Sequence, residues 1–393
     1  MRFTAEGLQG YLLTELLPLW RDHGRDRDRG GFLYHLDHDR FPAENPERRV
    51  RVQARQTWAF SRAAAMSGGE WARDVAARGY DELLERFHDP VHGGFWLMTT
   101  PAGEPLDRRK ELYEHAFVML ASAAWFAVSR DPRARRTADE IWGLVATHLA
   151  DPEHGGFFDG GDEAWQPVRD VRRQNPHMHL FEALLAWSSA DPGGPWLARA
   201  DAIRELLDRR FFDAEANVLV EYFDREWNRA TTPAGDVVEP GHHFEWVFLL
   251  EEHSRLRSRA PWCDTSARLF EWAERHGLDP AGGVHDDVHR DGSVRQATKR
   301  VWPQTEYLRA LATRHRCRGD HADLGRIHHF LQFLWSRYVI DSHGGWMEQL
   351  DPGGRIASVH MHATTVYHVM GALLAAIDAL ERSADAGGRE GTR

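Results

Sequence analysis

The chain has 393 residues, a formal net charge of -11, 42% hydrophobic residues and only two cysteines, Cys263 and Cys317. Its acidic balance disfavours nucleic acid and anionic membranes as partners, and two cysteines without paired spacing exclude a thiolate metal cluster and fit a reducing, cytoplasmic setting. No apolar run approaches the roughly 20 residues of a membrane span, and residues 1–20, with Glu6 and Glu15 in a helical pattern, lack the apolar core of a signal peptide.

Helix-like sequence is interrupted six times by a polar turn. Reading along the chain, Gly30-Gly31-Phe32, Gly93-Gly94-Phe95-Trp96, Gly155-Gly156-Phe157-Phe158 and Gly344-Gly345-Trp346 repeat one phrase, while Gly282-Gly283-Val284 keeps the glycines without the aromatic. The missing copy falls near Asn217, where residues 212–217 read as the same turn with the glycines replaced. Taking positions 31, 94, 156, 217, 283 and 345 as marks, the spacing stays within 61 to 66 residues. A mostly helical unit of that length holds two helices and their connections, so six units predict about a dozen helices as six hairpins. The expected fold is all-α, an (α/α)6 barrel, in one domain over residues 1–382. From Ser383 the apolar periodicity ends, and residues 383–393 read as a disordered tail.

Some 19 to 25 residues beyond each mark, a polar or aromatic cluster opens an apolar helix. In chain order these are Arg55-Gln56-Thr57-Trp58; Tyr113-Glu114-His115-Ala116-Phe117; Asn175-Pro176-His177-Met178-His179; Gly241-His242-His243-Phe244-Glu245-Trp246; Trp302-Pro303-Gln304-Thr305-Glu306; and His360-Met361-His362, running on to Tyr367 and His368. In a closed toroid, equivalent positions lie on one ring, so six clusters in phase predict one pocket at one mouth.

The 16 tryptophans and 24 histidines suggest what that pocket takes. Tryptophan faces pack on the C–H faces of sugar rings, and Trp58, Trp246 and Trp302 fall inside the clusters, whereas Trp125, Trp142 and Trp187 read as helix-packing residues. His115, His179, His242 and His368 fall at the ring position, and a group with an unperturbed pKa near 6.5 can take and return a proton at neutral pH. Closely spaced histidines could also ligate zinc, but there is no HExxH, and residues one or two apart on a helix point in different directions. No metal or cofactor is therefore expected. There is no phosphate-binding GxxxxGK[ST] or GxGxxG motif either.

Taken together and in order, the Arg55–Trp58 helix start, Tyr113-Glu-His-Ala-Phe117, Asn175-Pro-His-Met-His179-Leu-Phe-Glu182, Pro240-Gly-His242-His-Phe-Glu245-Trp246, Lys299-Arg-Val-Trp302-Pro-Gln304 and Tyr367-His368 resemble the N-acylglucosamine 2-epimerase superfamily, in its mannose isomerase-like branch. The resemblance spans nearly the whole chain and implies the same (α/α)6 barrel. It implies that His242 and His368 are an acid/base pair, with His179 a third pocket histidine, Arg55 the holder of substrate oxygens and Glu245 orienting or polarising the pair. Tyr113, Asn175, Trp58, Trp246, Trp302, Gln304, His115 and His362 are the expected substrate contacts, and His360 and His362 lie close enough in sequence to compete with His368 for its role.

The implied activity is aldose–ketose isomerisation, D-mannose to D-fructose, through a cis-enediolate and without a metal. The alternative is a sugar 2-epimerase of the mannose/glucose, cellobiose or N-acylglucosamine type, which would use the same residues. An (α/α)6 glycoside hydrolase would instead rest on paired carboxylates among Glu114, Glu182, Glu245 and Glu306, and a non-catalytic sugar binder would not need converging histidines. The expected partner is a small-molecule monosaccharide, and the chain is expected to be a monomer or small homo-oligomer.

Overall fold

The structure, a computed structural model, describes residues 2–42, 47–67, 69–169 and 171–390. Its helices are α1 (Ala5–Tyr11), continuing through a π turn into α2 (Leu17–Asp22), then α3 (Val50–Ser67), α4 (Glu70–Arg86), α5 (Leu112–Ser129), α6 (Pro132–Leu144), α7 (Gln174–Ala190), α8 (Trp196–Leu206), α9 (Pro240–Leu256), α10 (Asp264–Gly277), α11 (Val301–Arg318), α12 (His321–Arg337) and α13 (Thr365–Glu390). The last helix passes Ser383, where the sequence suggests a disordered tail, and Ser383 Oγ bonds Ala379 O at 2.9 Å and His315 Nε2 at 3.0 Å. Residues 391–393 lie outside the described residues.

The chain packs as two compact units, one holding α3–α8 and the other α1 with α9–α13. In the first, α5 packs between α3 and α7, while α4, α6 and α8 each pack on the helix before them. In the second, α11 packs between α9 and α13, with α10 on α9, α12 on α11 and α1 on α13. Each unit is thus two-layered, and the layers differ in sequence for a physical reason. The outer-layer helix α6 buries Ala134, Thr137, Ala138 and Ile141, a stripe at three- and four-residue spacing that covers one face. Its partner α5 buries nearly every residue from Leu112 to Ala123, because both sides meet other helices. The sequence contains no apparent spanning run, yet α5 is long and apolar enough to cross a membrane by length and composition; two thirds of it is buried inside this unit.

The repeated turns share one construction. An aspartate turns the chain: Asp89 Oδ1 accepts from the backbone N–H of Val91 at 2.9 Å, and Asp213 Oδ1 from that of Glu215 at 3.0 Å. A buried cation about 20 residues later neutralises it, with Arg48 on Asp26 at 2.6 Å, Lys110 on Asp89 at 2.7 Å, Arg172 on Asp151 and Lys299 on Asp279 at 2.8 Å. Asn217 has φ of 61°, the left-handed conformation that Gly94 (68°) and Gly156 (69°) adopt, so the worn sixth mark keeps the turn's backbone.

Short strands then set the phase of the helices. Arg48–Arg49 pairs with Met98–Thr99, Lys110–Glu111 with Gly160–Gly161, Arg172–Arg173 with Tyr222–Phe223, and Lys299–Arg300 with Gln349–Leu350. Each pair ties the residues just before α3, α5, α7 or α11 to the next repeat, so the N-terminal turns of neighbouring first-layer helices begin at one level. Those turns carry the polar clusters.

Candidate active site

The clusters divide by helical register. Gln53 Oε1 accepts from the Phe32 N–H at 2.7 Å while its Nε2 donates to Phe32 O at 2.8 Å. His115 Nε2 accepts from the Phe95 N–H at 2.9 Å, with Nδ1 2.7 Å from Glu111 O. His177 repeats this on Phe157 at 3.0 Å and on Arg173 O at 3.0 Å, and Gln304 clasps Val284 through its N–H at 2.7 Å and its carbonyl at 2.8 Å. These four side chains clip α3, α5, α7 and α11 to their own glycine turns. A Cβ at Gly94 would lie 2.7 Å from His115 Nε2 and 2.5 Å from Trp165, which together with the positive φ explains the second glycine of the phrase.

Two expected substrate contacts are corrected by this. His115 and Gln304 are fully buried and spend their polar atoms on backbone groups. Burial also pushes the His115 ring down to about 4 and His177 to about 3, so both are neutral imidazoles at ordinary pH. Trp246 likewise has no exposed surface and is a core residue, and Trp58 is 7% exposed.

Two residues further along a helix is a rotation of about 200°, so the neighbours of the clips face the other way. In the α3–α8 unit, Arg55 Nη2 donates to the Tyr113 hydroxyl at 2.8 Å, and its guanidinium lies 4.1 Å from the Phe117 ring centre. His179 meets Tyr113 edge-on at 5.1 Å and Phe117 at 4.5 Å, and its Nδ1 is 3.4 Å from Glu182 Oε2. Asn175, one turn before His179 on α7, has a buried Oδ1 with no hydrogen-bond partner among the described residues, an acceptor that a substrate hydroxyl would satisfy. Arg51, one turn before Arg55, pairs with Glu114 at 3.1 Å. Burial holds the Glu114 carboxyl up at about 7, with Arg51 pulling the other way.

In the α9–α13 unit, the indole of Trp302 has His242 at 5.1 Å and His368 at 5.7 Å between ring centres. His368 Nδ1 lies 2.8 Å from Glu306 Oε1, and Glu306 Oε2 lies 3.5 Å from Arg309 Nη1. The carboxylate fixes the neutral ring's proton on Nδ1 and makes Nε2 the basic nitrogen. Glu245, Glu306 and His368 bring polar atoms within 4.8 Å of one another, all buried, and are a set that could hold a divalent cation. The sequence points to Glu245 as the orienting carboxylate; the residue bonded to His368 is Glu306. Its signal was helical phase: it stands four residues after Trp302, on the same face, whereas Gln304 stands between them on the other side. His362 sits on the strand His360–His362, half-buried, with Nδ1 3.6 Å from Glu348 Oε2.

Helical hairpins in two layers, with arginine, histidine and carboxylate gathered at the N-terminal turns of the first layer, define an enzyme of the (α/α)6-barrel class. The chain belongs to the N-acylglucosamine 2-epimerase (GlcNAc 2-epimerase) family, whose model matches residues 30–372. It is 33% identical to a mannose-6-phosphate isomerase of Rhizobium meliloti (strain 1021) over 96% of this chain and 98% of that one. A cellobiose 2-epimerase of Bacteroides fragilis is 23% identical over 89% of this chain and 91% of its own. A solved D-mannose isomerase matches with a TM-score of 0.86 at 21% identity, covering 95% of this chain and 97% of that one, and shows the shared fold. Relatives in this family are sugar isomerases and epimerases, and this chain is an enzyme of that kind.

Proposed function

We propose that the protein is an aldose–ketose isomerase that converts D-mannose to D-fructose by histidine acid/base chemistry. The observation that carries this reading is the trio of His242, Trp302 and His368, in which two proton carriers lie beside one indole and one of them is held in a single tautomer by Glu306. The opened aldose lays its C–H face on Trp302. One histidine removes the proton from C2, leaving a cis-enediolate, and a proton is delivered to C1 while the O2 hydroxyl proton passes to O1. The sum is a ketose with no net gain or loss of hydrogen. The family likeness implies Arg55 as the holder of substrate oxygens on which negative charge develops, with His179 and Asn175 as substrate contacts; within its own unit the Arg55 guanidinium is held by Tyr113. The names of the relatives support sugar isomerisation; mannose as the substrate is supported by the motif likeness to the mannose isomerase branch.

Delivery of the proton to the opposite face of C2 instead of to C1 would make the same site a 2-epimerase, and the cellobiose 2-epimerase relative favours keeping that second reading. NMR of D-mannose in D2O with chelator-treated protein separates them. Fructose carrying deuterium at C1 is expected; glucose labelled at C2 would make the enzyme an epimerase, and no exchange at any carbon from folded protein would overturn both.

A further inference from the structure

Three helices of the α9–α13 unit face one another with residues at three- and four-residue spacing. On α9 these are His242, Glu245 and Phe248; on α11, Trp302, Glu306 and Arg309; on α13, His368 and Gly371. Their contacts fall in layers. His242 and His368 meet the Trp302 indole. Further along the helices, Glu245, Glu306 and His368 bring polar atoms within 4.8 Å of one another. Further still, the Arg309 guanidinium lies 3.6 Å from the centre of the Phe248 ring and beside Gly371, where a Cβ would stand 3.5 Å from its Cζ.

Glu306 bridges two of these layers. It is fully buried, with one oxygen 2.8 Å from His368 Nδ1 and the other 3.5 Å from Nη1 of the buried Arg309. The proton-transfer scheme uses the imidazole and its carboxylate but gives Arg309 no part. Yet the protonation state of Glu306 decides what it does to His368. As a carboxylate it can only accept, so the neutral ring carries its hydrogen on Nδ1 and Nε2 stays basic. As a carboxylic acid it would donate to Nδ1; the ring hydrogen would then sit on Nε2, and the nitrogen able to take a proton from substrate would be lost.

Two features of the site press Glu306 toward the acid. Burial penalises the charged form, and Glu245 places a second carboxylate close by. A guanidinium is the cation suited to oppose both, because it stays charged when buried and its flat face rests on an aromatic ring. Arg309 rests in this way on Phe248.

We propose that Arg309 is a positioning residue that acts through Glu306: it keeps that carboxylate ionised and thereby holds His368 in the tautomer with a basic Nε2. The inference rests on the isomerase reading for the reaction that His368 serves. It needs no contact between Arg309 and the substrate.

The test compares the wild type with Arg309→Gln, Arg309→Met and Arg309→Lys, each checked for fold by circular dichroism. Nitrogen NMR of protein with isotope-labelled histidine rings, at about pH 8 where an ordinary imidazole is neutral, separates the two tautomers, and His368→Ala identifies the signals of His368. The wild type is expected to carry the hydrogen on Nδ1, and the two uncharged variants to move it to Nε2. Arg309→Lys keeps the charge and should resemble the wild type. With D-mannose, Arg309→Gln and Arg309→Met should lower kcat by roughly tenfold to 10²-fold with KM little changed, and Arg309→Lys by less. In a Glu306→Gln background, removing Arg309 should lower kcat by less than about threefold further, because the carboxylate it serves is gone.

A wild type with the hydrogen on Nε2, or a folded uncharged variant with the wild-type tautomer or the wild-type kcat, would overturn the inference while leaving the isomerase reading in place. Equal losses in both backgrounds would mark a packing role and overturn it too. The tautomer signals are read without substrate, so a wild type inactive on sugars would overturn the isomerase reading, and the tautomer shift would still decide whether Arg309 governs His368.

Discussion

The Arg55 cluster of α3, α5 and α7 and the His368 cluster of α9, α11 and α13 grow from the same repeat, yet they are electrostatically unlike. The first sets arginine guanidinium groups on tyrosine and phenylalanine rings, with His179 and the buried Glu114 carboxyl among them. The second presents imidazoles flanking an indole and backed by carboxylates, groups that exchange protons. In the proposed function, equivalent helix positions are divided between holding and reacting. The difference teaches that repetition supplies positions, while the residue at each position supplies the chemistry.

The sharpest way to break that comparison is to remove the proton carriers. His242→Ala and His368→Ala should each lower kcat by about 10³-fold or more with the helical circular dichroism intact; a variant keeping more than about a tenth of wild-type turnover would strip that histidine of its role. Next in size, Glu306→Gln keeps the shape but not the charge behind His368, and kcat should drop by roughly 10²-fold with KM little changed. If the loss appears wholly in KM, Glu306 is a binding residue. On the holding side, Arg55→Lys retains the charge but loses the planar fork, so kcat/KM should fall by about tenfold; an unaltered value would remove Arg55 from the site.

The smallest effect concerns stability. His115 and His177 have folded-state values near 4 and near 3, below the roughly 6.5 of an unfolded chain, because burial penalises the cation. The unfolded chain then binds more protons than the folded one between those limits, so stability rises with pH there. The contribution is fully present above about 6.5 and is lost as the pH falls toward the folded values, on the order of 3 to 5 kcal/mol for each ring at the extreme. Glutamine performs the same clip at residues 53 and 304, so His115→Gln and His177→Gln should flatten the acid dependence of the melting temperature while retaining activity. A profile identical to wild type would place the acid sensitivity elsewhere.

The regular spacing of the glycine phrase made the six hairpins legible, and the alternation of stripe-like and all-round apolar helices follows from the same pattern. The clusters were legible too, as local departures from apolar sequence at helix starts. Within a cluster the sequence was less decisive. His115 and His179 are both histidines at the ring position, but one is a clip and the other faces the aromatic wall. Gln304 and Glu306, polar residues two positions apart, show the same split. Helical phase relative to the glycine turn would have separated them, since a clip lies 20 or 21 residues after the residue it clasps.

By itself, then, the sequence determined the repeat, the helical class and the positions at which polar chemistry is concentrated, because these are periodic or compositional properties of a chain. Only the tertiary structure decided that Glu306 orients His368, that Arg309 is set against Phe248, and that His115, Gln304 and Trp246 belong to the scaffold. Those outcomes depend on contacts between elements far apart in sequence, and on burial, which one-dimensional spacing does not encode.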